Sequence, residues 1–295
     1  HMYETVASFT RYLPREFEGV VKYVEVNGRT KIAINNKISE YIPNPTFNVV
    51  APPGAQEIEF KLKNPSSRSK ADTVQLEPPP RYIRSLPGFF SPEPRIALMD
   101  EMGVDRSLMW PTLASLLEER LTDDPRATHA VVHSLNQWMH EEWTFNYQDR
   151  IFPTPIITLP IVDKAIEELE WVVERGARII LIRPAPVPGF EGLRSFALPE
   201  FHPFWKKVEE ADILVGLHAS DSGYQRHLNE WEGQHGEFLP FKGPSAFNAI
   251  VHTYSREIYD TVASIIGHGL AHRFPKLRFA PVENGSAWVR PMVNS

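Results

Sequence analysis

Residues 213–220 read ILVGLHAS. An apolar run with no alternation ends in a histidine and then in small polar residues. A strand with one wet face would alternate apolar and polar positions. This one does not, so it is expected to be buried on both faces, as in a parallel sheet covered by helices. The same grammar recurs at RSLMWPT (106–112), RIFPTPIITLP (150–160), ARIILIRP (177–184) and LRFAPVENG (277–285). Between these runs lie stretches with helical periodicity: 94–104 with Gly103 as its stop, 124–145 opened by Asp124 and Pro125, 161–176 closed by Gly176, 202–212, and 256–275 ending at Pro275. Strands alternating with helices predict an α/β fold with a parallel sheet. No Gly-x-Gly-x-x-Gly follows a strand and no Gly-Lys-Ser/Thr occurs, which disfavours a nucleotide fold and favours a barrel.

Residues 14–93 interrupt the alternation. VVKYVEV-NG-RTKIAIN predicts a β-hairpin turning at Asn27-Gly28. Proline-rich and polar segments follow, and the stretch 61–75 is expected to be mobile. The expected organisation is therefore a barrel built from 1–13 and 94–295, with 14–93 as an insertion.

Composition narrows the chemistry. The 295 residues contain no cysteine, which excludes disulfides, thiolate metal sites and thiol nucleophiles. A metal here must be held by nitrogen and oxygen, a donor set that suits zinc, manganese or iron. The net charge of -6 argues against a nucleic-acid partner. No apolar run reaches the roughly 18 residues of a membrane helix and no signal peptide opens the chain, so no membrane partner and a cytoplasmic location are expected.

Ligands of parallel α/β folds bind at the carboxyl ends of strands, and the polar residues gather there. His218 ends its apolar strand, as a metal ligand or general base would; the plain alternative is a core histidine bonded to a backbone carbonyl. Glu283 ends another buried strand and must be paired, hydrogen-bonded or metal-bound. Its partner could be Arg183, which could instead hold a substrate carboxylate. Asp221 either orients His218 or acts as a base, or else caps the turn at 220–223. Trp110, Tyr224 and Asn284 stand near the same strand ends as candidate substrate contacts. His129, His133 and His140 share a helix face without a His-Glu-x-x-His pattern, so they read as packing or surface residues. His268 and His272 read as outer-helix residues. His227 and His235 flank Trp231 in a loop that either closes over the site or faces solvent. His1-Met2 is either a cloning remnant or the end of a first strand.

The segments HMYETVASFTRYL, PRIALMDEMGVDRSLMWPT, GARIILIRPAPVPG, LVGLHASDSGYQ and GLAHRFPKLRFAPVENGSAW together resemble the amidohydrolase-related family. This is the branch of the amidohydrolase superfamily that includes aminocarboxymuconate-semialdehyde decarboxylase and resorcylate decarboxylases. The resemblance implies a (β/α)8 TIM-type barrel with one divalent metal, zinc before manganese or iron. It implies ligands from an acid-or-His, x, His motif after strand one, a His after strand five and an Asp after strand eight. His1 matches the second motif residue and His218 the strand-five ligand. Where many relatives carry His-Gly-Gly after strand six, this chain has Glu283-Asn284-Gly285. Glu283 then either handles the proton or binds something else, with Asp221 as the other catalytic candidate. The sequence shows six strand ends where a closed barrel has eight. It contains no Ser-Asp-x-Pro-His segment, so the chain is expected to lack the last one or two strand units. The function implied is a metal-dependent hydrolase of a small carboxylated or cyclic substrate. The alternatives are a non-oxidative decarboxylase of an aromatic or muconate-type acid, and a metal-free barrel that only binds. The resemblance also makes a homodimer the expected assembly, with the hairpin as a contact.

Overall fold

The computed structural model describes residues 1–42, 44–52, 55, 82–189, 192–233, 245–251 and 253–295. The stretch 61–75 and His235 lie outside the described residues.

The first described strands are antiparallel: β1 (Val21–Val26), β2 (Arg29–Ile34) and β3 (Lys37–Ser39). Asn27 and Gly28 both take positive φ, 50° and 71°, which matches the twist a two-residue hairpin turn requires. Asn35 and Asn36 make a second turn the same way, at φ 50° and 59°, and add a third strand to the predicted hairpin. β4 (Val49–Val50) pairs with β5 (Ile83–Arg84). Buried Val21, Ile32, Ile34, Tyr41 and Phe47 join the same hydrophobic core as Met2 and Met109. Tyr3 stacks on Phe47 with ring centroids 4.3 Å apart.

The remaining strands are parallel. They are β6 (Ser107–Met109), β7 (Ile151–Pro153), β8 (Ile179–Leu181), β9 (Leu214–His218) and β10 (Arg278–Val282). β6 pairs with β7, and β8, β9 and β10 pair in that order. Parallel bridges from Met2 to Pro111 and from Ile156 to Leu181 join these into one run of neighbours. The described residues thus place six parallel positions side by side in chain order, as the spacing of the apolar runs predicts. Closure by eight strands is not seen among them. Gly216 shows how tightly the interior is filled. A Cβ there would lie 2.7 Å from Cζ3 of Trp110, so the strand accepts no side chain at this position.

The helices that cover the strands are α1 (Pro92–Glu101), α2 (Pro125–Trp143), α3 (Val162–Glu174), α4 (His202–Glu210), α5 (Gln225–Glu232), α6 (Thr253–Gly267) and α7 (Val289–Asn294), with shorter turns between. Asp124 caps α2 as expected, accepting from Ala127 N at 2.9 Å. α3 buries Ala165, Leu169 and Val172 at helical spacing. The single helix expected over 256–275 is divided. α6 ends at Gly267, and a separate turn, Leu270–Arg273, begins after Gly269 at φ 72°. A left-handed glycine stops a helix without a side-chain clash. Among the described residues, no helix is long and apolar enough to cross a membrane.

Candidate metal centre

The carboxyl ends of the first, fifth and sixth parallel positions bring His1, His218 and Glu283 together. His1 is fixed by its backbone, whose carbonyl accepts from Arg95 Nη2 at 2.8 Å, and by its neighbour Met2, whose N–H donates to Trp110 O at 2.9 Å. Its Nδ1 lies 3.1 Å from Thr112 Oγ1. That hydroxyl donates its own proton to Met2 O, at 3.1 Å, so it accepts from His1 Nδ1–H. His218 is held in the same way, Nδ1–H donating to Ala219 O at 2.6 Å. Both imidazoles therefore carry a proton on Nδ1 and turn Nε2 inward.

Glu283 stands between them. Its Oε1 is 3.1 Å from His1 Nε2 and its Oε2 is 3.7 Å from His218 Nε2. The two rings meet edge to face at 5.1 Å. One ligand atom from each of the three residues falls within 4.8 Å of the others. Two imidazole nitrogens and a carboxylate oxygen facing one another need a cation. A proton on His1 Nε2 serves one contact, and that hydrogen bond is the main reason the Glu283 carboxyl sits below the usual range. His218 Nε2 remains buried with no hydrogen-bond partner. Burial holds the His218 imidazole below its ordinary value, against the opposing pull of its hydrogen bond to Ala219 O. The unpartnered Nε2 of His218 facing that of His1, with His218 tethered to a backbone carbonyl, fits a divalent ion.

Two residues to which the sequence assigns no role anchor the neighbouring strand ends. Glu4 is fully buried; its Oε1 accepts from Leu113 N at 2.7 Å and Ala114 N at 3.1 Å, fixing the loop that carries Thr112. Burial pushes its carboxyl up to about 7. Glu119 receives Arg183 Nη2 at 3.0 Å and Arg226 Nη2 at 3.1 Å. Its only sequence signal was a place in LLEER (116–120), soon after the second strand ends.

These contacts correct several expectations. Arg183 does not pair with Glu283: it bonds Glu119 and donates to Ser222 O at 3.2 Å, and its Nη1 is buried without a partner. Asp221 does not orient His218, because Ala219 O does so. Asp221 instead binds Arg120 at 2.8 Å and accepts from Gly223 N at 3.2 Å, the turn-capping alternative. Asn284 commits its Nδ2 to the sheet, while its Oδ1 is buried without a partner. Nδ2 donates to Leu217 O at 2.7 Å and to Val282 O at 2.8 Å, tying the ends of β9 and β10 together. Tyr224 OH donates to Asp260 at 2.6 Å, on α6. Trp110 lies beside the His218 ring, centroids 5.6 Å apart, where it walls the site.

Among the described residues, the histidines read as packing or surface residues make local contacts of that kind. His129 Nε2 accepts from Ile161 N at 3.1 Å, His133 binds Glu168 at 2.6 Å, and His268, just past the end of α6, bonds Ser264 O at 3.0 Å. His227 lies exposed beside Glu230.

Comparison with known proteins agrees with this architecture. A family profile described as amidohydrolase matches residues 68–294. A crystal structure of an amidohydrolase from Mycobacterium avium subsp. paratuberculosis K-10 is 36% identical with a TM-score of 0.87, over 100% of this chain and 73% of that one. The chain belongs to the amidohydrolase family. Amidohydrolases of this superfamily are metal-dependent enzymes. Two further structures show a weaker similarity to the chain. A 2,6-dihydroxybenzoate decarboxylase complexed with 2,6-dihydroxybenzoate is 21% identical, TM-score 0.48, covering 64% of this amidohydrolase and 55% of that chain. A dihydroxybenzoic acid decarboxylase from Polaromonas sp. JS666, with bound manganese and an inhibitor, is 17% identical, TM-score 0.43, covering 64% and 53%. No curated protein matches the sequence.

Proposed function

We propose that this amidohydrolase is a metal-dependent hydrolase of a small carboxylated or cyclic substrate. One divalent ion, zinc in the first instance, is held by His1 and His218 at the mouth of an eight-stranded (β/α) barrel. The observation that carries this reading is the inward-facing pair of Nε2 atoms, each fixed by a hydrogen bond from its own Nδ1. When bound, a divalent metal supplies Lewis acidity toward a carbonyl and a hydrolytic nucleophile at neutral pH. The protein's part is to place the substrate. Trp110 gives the site an apolar wall against His218. Arg183, buried and with one unpartnered nitrogen, is the group to hold a substrate carboxylate. Hydrolysis is favoured over decarboxylation because the strand-six carboxylate is turned onto the two imidazoles. Decarboxylation would need a proton donor aimed at a substrate carbon.

The test has two arms. The purified protein is expected to carry stoichiometric divalent metal, and His218→Ala to lose it; full metal content in that variant would reject the site. A panel of esters, lactones and amides is expected to be cleaved without release of carbon dioxide. Carbon dioxide release from aromatic or muconate-like acids, with no hydrolysis, would replace the hydrolase reading with the decarboxylase one.

A further inference from the structure

Glu283 has a backbone that its side chain should avoid. Its φ is 60°, in the left-handed region where a residue with a Cβ is disfavoured by about 1–2 kcal/mol. The turn is held there by its neighbour, since both hydrogens of the Asn284 amide go to strand-end carbonyls, Leu217 O and Val282 O. The effect is to swing the carboxylate back over the sheet end, 3.1 Å from one imidazole nitrogen and 3.7 Å from the other. Strain maintained by a buried clamp, and aimed at a cluster of lone pairs, marks a functional position.

A proton shuttle does not need this geometry. It needs a carboxyl within reach of substrate and free of competing partners. Glu283 has two imidazole neighbours, one of them a buried nitrogen with no hydrogen-bond partner. We propose that Glu283 is itself a metal ligand, completing a site of two histidines and one carboxylate at the ends of the first, fifth and sixth strands. The inference rests on His1 and His218 holding the ion. It removes Glu283 from the proton-handling role and makes the donor set two nitrogens and one oxygen. It also lowers the net charge of the loaded site by one relative to a histidine in the same place. The Glu283 side chain keeps 59% of its exposure and His1 28%, so solvent or substrate can reach the open side. Catalytic metal sites keep such a position open.

The experiment is metal binding, independent of turnover. The protein is stripped with a chelator and titrated with Zn²⁺ or Mn²⁺ alone by competition with a chromophoric chelator. Co²⁺ loading reports the ligand set through its visible absorption. Glu283→Gln keeps the shape and removes the charge; it is expected to weaken Zn²⁺ binding by about tenfold or more and to change the Co²⁺ spectrum. Glu283→Asp keeps the ligand type, is expected to fall between the two, and serves in its place if the Gln variant does not fold. Affinity within about threefold of wild type and an unchanged Co²⁺ spectrum in Glu283→Gln, while His218→Ala loses the ion, would overturn the inference and leave the proposed function standing. Retention of the ion by His218→Ala would overturn both.

Discussion

Glu257 projects from α6 into the interior, 3% exposed, with Oε2 lacking any partner. Burial is the main reason its carboxyl rises from the ordinary 4.5 to about 8. The nearby Asp221 adds to the rise, while a hydrogen bond with Ser222 and the charge of Arg183 oppose it. The sign follows from proton linkage. Between pH 4.5 and about 8 the folded protein keeps a proton that the unfolded chain releases, so folding loses stability as pH rises through that window. The loss is complete above the folded value and amounts to at most about 5 kcal/mol. Glu257→Gln, which keeps a neutral amide in place, is expected to match wild type near pH 4.5 and to be the more stable above pH 8. Urea midpoints at the two pH values check this; an equal gap at both would reject a buried neutral acid. Single residues also show what a sequence exposes. His218 and Glu283 were legible because each closes an apolar run, and strand ends are where parallel sheets gather their chemistry. The partners of Arg183 and Asp221 were not. Glu119 and Arg120 lie 64 and 101 residues away in the chain, and no local spacing encodes such a pairing.

Elements were more legible than pairings, because periodicity and turn chemistry are local. The capped start of α2 at Asp124 and the Asn27-Gly28 hairpin follow directly from residue type. The break between Gly267 and Leu270 was missed, since apolar spacing continues across it and only two glycines mark it. The hairpin allows a clean test of how much one turn residue contributes. Gly28 sits at φ 71°, and a Cβ there would meet nothing within 4 Å. Gly28→Ala therefore changes backbone strain and no packing. It is expected to destabilise the protein by about 1 kcal/mol, measured by equilibrium unfolding, with metal content unchanged. A neutral substitution would mean that the turn relaxes away from the two-residue geometry.

At the scale of the molecule, six strand positions in chain order could be read from the sequence, because each apolar run is continuous. What holds their carboxyl ends against one another could not. An ionic network does this. Glu119 and Arg120 follow β6, Arg183 follows β8, Asp221 follows β9, and Arg226 lies in the first turn of α5. Arg183 and Glu119 are its buried centre, with side chains only 7% and 13% exposed. A buried ion pair is costly to break from one side, because the remaining charge is left without compensation. Glu119→Ala is therefore expected to cost about 3 kcal/mol or more, even though Arg226, at 55% exposure, can turn to water. Removing both charges should behave differently. Glu119→Leu with Arg183→Met replaces the pair with apolar groups of similar size and is expected to recover most of that loss. If the network serves only stability, the double variant regains both unfolding midpoint and turnover. If Arg183 also holds the substrate carboxylate, the midpoint returns while KM stays raised and metal content is unaffected. A double variant no more stable than Glu119→Ala would show that Arg183 was not left uncompensated, and that the strand ends are held by packing instead.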